Sequence, residues 1–350
     1  MNLTEIVREE LLNLGASLDS SFLVAISGGA DSSALLLAMH GVAARKEGLT
    51  SAHLDHGIRP GSREEAKFVE KFSRDLGVKA VTGMLEPGEL ESARRQHGSL
   101  EAAMRELRYR FLFDAARRSG SEWILTGHTA DDQSETVLFR ISRRMDWRSL
   151  GGIPPRRGKI LRPLLGSTRS DIRDFCMKKG IKPLTDPSNY DEDYARNRIR
   201  HTILPGLKAD LGMDIARLLC RTGKAARKLA DVEAGMLGHY RPGYGSASIS
   251  SFERDHLLAL PDILRNRFIS DCLYREIKTF QSLKLVEDVL AFMEAGRNGS
   301  MSLPGGRTLV LSYGQASVRM DDGKTGAALP RTGLELTVPG RLVLESSDLA

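Results

Sequence analysis

One stretch constrains the fold of this chain more than any other: LVAISGGADSSALLLAM, from Leu23 to Met39. A short apolar run, two glycines and a long apolar run read as a buried strand, a tight turn and a helix. The glycines let the backbone turn closely and turn its N–H groups outward, and the following helix adds the positive end of its dipole. Ser27, Gly28, Gly29, Ala30, Asp31 and Ser32 are therefore expected to hold a phosphate. Two details set this loop apart. No lysine follows the glycines as it does in GxxxxGK[ST], and Asp31 puts a carboxylate where an anion would bind. A plain strand-to-helix turn capped by Asp31 or Ser32 is the bland alternative.

The surrounding pattern supports a phosphate site. Strand signals at 22–27, 50–55, 79–84 and 123–127 alternate with helical signals at 32–46, 63–76, 100–119 and 131–144. Short apolar strands alternating with helices imply a twisted parallel sheet covered on both faces, with ligands beyond the C-terminal strand ends. Three polar stretches fall at such ends: Ser27–Ser32, Asp55–Arg59 and Gly127–Asp132. Asp55 suits a ribose hydroxyl or a metal there, and His56 is either a ligand or a packing histidine. An amphipathic helix rather than a signal peptide opens the chain. After Gly151 a Gly/Pro loop, GGIPPRRG, leads to a polar stretch and then, from about 213 to 295, to helical patterns, with short strands after Ser300. The expected division is 1–210, 211–300 and a short β-rich segment at 301–350.

Composition excludes several classes. Over 350 residues the chain carries only three cysteines, far apart and with no CxxC pair, so zinc and iron–sulfur sites are not indicated and a reducing cytoplasm is expected. No run approaches the ~20 apolar residues of a membrane span. The net charge is +6, and arginines crowd at 140–148, 156–162 and 196–200. Three basic clusters beside the polar motifs suggest a phosphate-backbone surface.

SGGADS resembles the pyrophosphate loop of the PP-loop ATP pyrophosphatases, which cut ATP between its α- and β-phosphates. Four further motifs follow in order: HLDHGIR (53–59), EAAMRELRY (101–109), GHTADDQSET (127–136) and DPSNYDEDYARNRIR (186–200). Together they resemble the tRNA(Ile)-lysidine synthetase family. The resemblance implies a PP-loop, adenine nucleotide alpha hydrolase-like domain followed by a helical domain. It implies adenylation, with ATP and Mg²⁺, of the C2 oxygen of the wobble cytidine in a CAU anticodon. Free L-lysine then displaces AMP.

Glu101, Arg105 and Arg108 share one helix face at i, i+4 and i+7. That pattern alone fits an exposed ion pair as well as a ligand, and the resemblance makes Arg105 and Arg108 candidate phosphate or substrate ligands. It likewise implies catalytic roles for His128 and Asp132, and a Mg²⁺ between Asp31 and the departing pyrophosphate. Arg140, Arg196, Asn197, Arg198 and Arg200 are the expected RNA contacts, since guanidinium forks suit phosphates and an amide can read a base edge. The chain departs from the family at RRMDWRSLGGIPP, where Met145, Asp146 and Trp147 replace small residues. Rival expectations are a 2-thiolation sulfurtransferase of the same superfamily and an inactive tRNA-binding homologue. A homodimer is a further expected assembly.

Overall fold

The computed structural model describes residues 2–55, 57, 62–143, 147–184, 195–240, 251–277 and 282–320. The chain divides into two compact units, residues 1–231 and 232–350.

The first unit is built on a six-stranded sheet of order β3-β2-β1-β4-β6-β5. Its strands are β1 (Phe22–Ala25), β2 (Leu49–Asp55), β3 (Lys79–Met84), β4 (Trp123–Leu125), β5 (Arg156–Arg157) and β6 (Ile160–Leu161). All neighbours run parallel except the edge pair β5–β6. The helices are α1 (Leu3–Asn13), α2 (Ala30–Val42), α3 (Ser62–Asp75), α4 (Glu89–His97), α5 (Leu100–Ser119), α6 (Ala130–Ser142), α7 (Arg169–Lys178), α8 (Ala195–Arg198) and α9 (Leu204–Leu211). The inner strands β1, β2 and β4 are buried because both of their faces are covered by apolar side chains. Val24, Leu35, Leu36 and Met39 pack with α1 and α7 residues on one side. Leu23, Ala52, Leu112 and Ile124 form the core with α5 on the other. Strand order reverses at β1, with β2 on one side and β4 on the other, and a crevice opens at such a switch point.

The second unit begins inside α10 (Ile215–Tyr240) and continues with β7 (Ser251–Glu253), α11 (Arg254–Leu258), α12 (Asp262–Ile277) and α13 (Leu283–Ala295). It ends in β8 (Gly299–Leu303), β9 (Arg307–Ser312) and β10 (Gln315–Met320), which form an antiparallel sheet of order β7-β10-β9-β8. Leu264, Phe268, Val286, Met293, Leu309 and Leu311 make its core.

The parallel sheet and its four expected strands are as read from sequence, and so are the helical region and the C-terminal strands. The elements α4, α7, the β5–β6 edge and β7 escaped that reading. α4 and the strands are too short or too polar to show a period, and α7 offers only Ile172, Phe175 and Cys176 as a buried set. GGIPPRRG, expected to be only a loop, supplies β5, because Arg156 and Arg157 pair with Leu161 and Ile160.

Candidate active site

The loop after β1 is held by its own serines. The backbone N–H of Ser27 donates to Ser32 Oγ at 3.1 Å, and that hydroxyl donates to the Gly29 carbonyl at 3.1 Å. Ser33 Oγ donates to the Gly28 carbonyl at 3.4 Å. Gly28 sits at φ +85, a left-handed conformation that a side chain would strain, and a Cβ there would lie 3.0 Å from Leu184 Cδ1. Gly29 is the N-cap of α2 and makes no side-chain cap bond, which leaves the helix start free for an anion.

The loop after β4 closes on this turn. A Cβ on Gly127 would stand 3.1 Å from the carbonyl carbon of Asp31 and from the amide nitrogen of Ser32. A side chain there would push one of the two backbones back by a few tenths of an ångström. Beyond it, α6 starts with a reciprocal cap. Thr129 N–H donates to Asp132 Oδ2 at 2.8 Å, and Asp132 N–H donates to Thr129 Oγ1 at 3.4 Å. His128 pairs through Nδ1 with Thr126 Oγ1 at 2.9 Å.

Arg169, the first residue of α7, ties the acids of α6 together. Its backbone N–H donates to Asp131 Oδ2 at 2.8 Å, and its guanidinium reaches Asp132 at 3.0 Å and Glu135 at 2.9 Å. Arg200 approaches the same Glu135 at 3.4 Å. Burial works against the charge of Arg169, but Glu135 and Asp132 outweigh it and hold the guanidinium protonated. For Arg200 burial and the like charge of Arg169 prevail, and its pKa is lowered. Asp31 faces this group. Burial and the charge of Asp132 push its carboxyl up to about 6, against the pull of Arg169 and Arg200. A carboxyl crowded by other carboxylates and short of water gains most from a cation.

Several sequence-predicted residues thus meet at one place: Ser27–Ser32, Asp132 and Arg200. Arg200, expected on an RNA surface, reaches a carboxylate of this group instead of standing clear. Asp55 is buried at the end of β2, where Oδ1 accepts the Gly57 N–H at 2.7 Å and closes a turn. His56 and residues 186–194 of the last motif lie outside the described residues. Arg105 and Arg108 are exposed on α5, with Arg105 over the Tyr109 ring at 4.9 Å. Arg140 donates to the carbonyls of Ser149 and Gly152, and so holds the loop where the sequence departs from the family pattern. Gln133 and Arg227 grip the same loop through Gly151 and Ile153. Trp147 lies under the Arg148 guanidinium, 4.9 Å from it. Arg198 is exposed and Asn197 half-buried at the end of α8, whose Arg196 side chain lies outside the described residues.

Sequence reasoning missed Arg169 and Glu135. A signal was present for the first. TRSD is a capping box, and an arginine at the first position of a helix runs against the dipole, so it needs a local acid. Glu135 lies three residues after Asp132 on the same helix, hence on the same face.

The family model for the PP-loop domain matches residues 3–207. A protein of Symbiobacterium thermophilum, called tRNA(Ile)-lysidine synthase, is 39% identical over 229 residues, covering 64% of this chain and 46% of that one. One of Salinispora arenicola with the same name is 42% identical over 209 residues, covering 58% and 61%. The chain therefore spans about half to three-fifths of those relatives. A Bacillus cereus protein of that name is 30% identical over 360 residues, covering 94% of this chain and 71% of its own. Among solved structures, the U34-tRNA thiolase NcsA from Methanococcus maripaludis with its [4Fe-4S] cluster superposes with a TM-score of 0.51 at 14% identity, over 65% of this chain and 78% of that one. That likeness concerns the fold alone. The domain match, together with the likeness along nearly the whole chain to the Bacillus cereus protein, makes this chain a member of the PP-loop family and, within it, of the tRNA(Ile)-lysidine synthases.

Proposed function

We propose that the protein is itself a tRNA(Ile)-lysidine synthase, a ligase that forms a carbon–nitrogen bond on a tRNA with a CAU anticodon. In the first step the C2 oxygen of the wobble cytidine attacks the α-phosphorus of ATP and pyrophosphate leaves. In the second, the ε-amino nitrogen of free L-lysine bonds to C2, the oxygen departs with AMP, and the amine gives up its proton. The observation that carries this reading is the closure of Gly127 on Asp31, which sets a phosphate loop without a lysine against three carboxylates and two arginines.

Each group has a role in that chemistry. The Ser27–Ser32 turn and the start of α2 bind phosphate oxygens through backbone N–H groups. Asp31, Asp131 and Asp132 offer carboxylate oxygens, which suit Mg²⁺. Among the described residues no three His, Cys, Asp or Glu side chains form a metal cage, and Asp31 is the residue that would hold a Mg²⁺ here. When bound, it would neutralise charge on the leaving pyrophosphate. Asp132 and Glu135 are acids that can receive the ammonium of lysine, and Arg169 and Arg200 offset the negative charge that gathers on phosphate. His128, Arg105 and Arg108 remain proposed contributors, as do Asp55 and His56 at the nucleotide. Arg140, Arg196, Asn197, Arg198 and Arg200 are the proposed RNA contacts. In this reading residues 1–210 are the catalytic domain, 211–300 a support for the tRNA and 301–350 a short further segment. A cytoplasmic location and a second copy of the chain as partner belong to the same reading. No helix among the described residues is long and apolar enough to cross a membrane.

The test is incubation with ATP, Mg²⁺, labelled lysine and a CAU-anticodon tRNA(Ile) transcript. Incorporation of label into RNA is expected. If sound transcript takes up no lysine, the reading fails, and ATP–pyrophosphate exchange without incorporation would point to another PP-loop activity.

A further inference from the structure

We infer that Tyr109, flanked by Arg105 and backed by Arg162, forms a binding subsite for a phosphate group. Arg162 follows β6 directly and is only 1% exposed. Its Nη1 donates to the Pro154 carbonyl at 2.6 Å and its Nη2 to the Tyr109 hydroxyl at 3.3 Å, while its Nε is buried without a partner. Among the described residues no carboxylate pairs with it. A buried cation with no anion is costly, so such a group is kept where an anion comes and goes.

The hydrogen bonding fixes the chemistry. A guanidinium only donates, so the Tyr109 oxygen must be the acceptor from Arg162. The phenolic O–H is then left to donate, and among the described residues it has no acceptor. Arg105 lies over the ring face, 4.9 Å from its centroid, and Arg157 adds its charge beside Arg162. Against the effect of burial, the charges of Arg105 and Arg162 lower the pKa of the phenol, which strengthens it as a donor. One hydroxyl donor with the Arg105 guanidinium over the same ring matches the several oxygens of a phosphate better than the single edge of a carboxylate. Arg162 touches no ligand in this arrangement. It is a positioning residue that orients and polarises Tyr109.

A phosphate can come from the nucleotide or from an RNA backbone, and the two sources separate experimentally. The inference rests on the proposed function only for the identity of the RNA. The variants are Tyr109→Phe, Arg105→Gln, Arg162→Lys and Arg162→Met, all in the full-length protein, with ATP and a CAU-anticodon tRNA transcript as probes. Tyr109→Phe keeps the ring that packs on the sheet and removes the hydroxyl, which is both the donor to a phosphate and the acceptor from Arg162. A loss of about tenfold in ATP affinity, with RNA affinity unchanged, assigns the subsite to the nucleotide. A similar loss for RNA with ATP unchanged assigns it to the backbone, and Arg105→Gln should then flatten the salt dependence of log K by about one. Arg162→Lys, which keeps a donor for the phenol, should retain most of the binding that Arg162→Met loses. The inference is overturned if Tyr109→Phe and Arg105→Gln leave both affinities unchanged, or if binding falls only in step with the melting temperature. Lysine incorporation by the unsubstituted protein is scored separately, so a failure of the proposed function leaves both binding arms readable.

Discussion

Asp31 shows how a single residue can be poor for stability and good for chemistry. Its folded pKa, about 6 against an ordinary 3.8, means that the folded state holds the proton more tightly than the unfolded chain does. Stability from this residue is therefore present below the unfolded value and lost as pH rises through about 6. With cations chelated, Asp31→Asn should stabilise the protein at pH 7.5 by as much as about 3 kcal/mol, and the gain should fade below about pH 4. Urea denaturation across that pH range measures it. The same variant should lose most ATP–pyrophosphate exchange, and unchanged exchange at saturating Mg²⁺ would remove Asp31 from the proposed mechanism. Arg169 carries the opposite liability. Arg169→Met should destabilise by about 3 kcal/mol, because Asp132 and the buried Glu135 lose their closest countercharge. Both effects depend on burial and neighbours. The sequence could show that Asp31 was an odd residue for a phosphate loop, but not that Asp132 lay against it.

At the scale of elements, α6 couples helix capping to the site, since the carboxylate that caps its first turn is the one paired with Arg169. Thr129→Ala should cost about 1 kcal/mol in thermal or chemical unfolding and should also weaken ATP binding by freeing Asp132. A stability loss with ATP affinity intact would show that the cap and the site are independent. The strand ends before α2 and α6 were legible because their polar motifs interrupt apolar runs. The role of the 147–153 loop was not. Its family-unlike sequence hid the fact that Gln133, Arg140 and Arg227 bind its carbonyls, contacts made from two helices distant in sequence. Gln133→Ala should cost about 2 kcal/mol, since it strands the Ile153 N–H and removes the donor to the Gly151 carbonyl. Little change in the urea midpoint would mean that the arginines hold the loop alone.

For the whole molecule, the charge of +6 and the arginine clusters predict RNA binding that weakens by at least about tenfold between 50 and 200 mM salt, read by filter binding or anisotropy. A flat salt dependence would mean that few backbone phosphates are engaged, and would turn attention from residues 140 and 196–200 to other surfaces. By itself the sequence determined the α/β class, the sites of the phosphate loop and its partner motif at strand ends, and the family, because apolar periodicity and contiguous motifs are local properties of a chain. Tertiary structure alone decided which acids crowd Asp31, that Arg169 and Arg200 meet at Glu135, and that Arg162 lies buried behind Tyr109. Those pairings join residues many positions apart, and their energies come from burial and charge proximity, which a linear pattern does not encode.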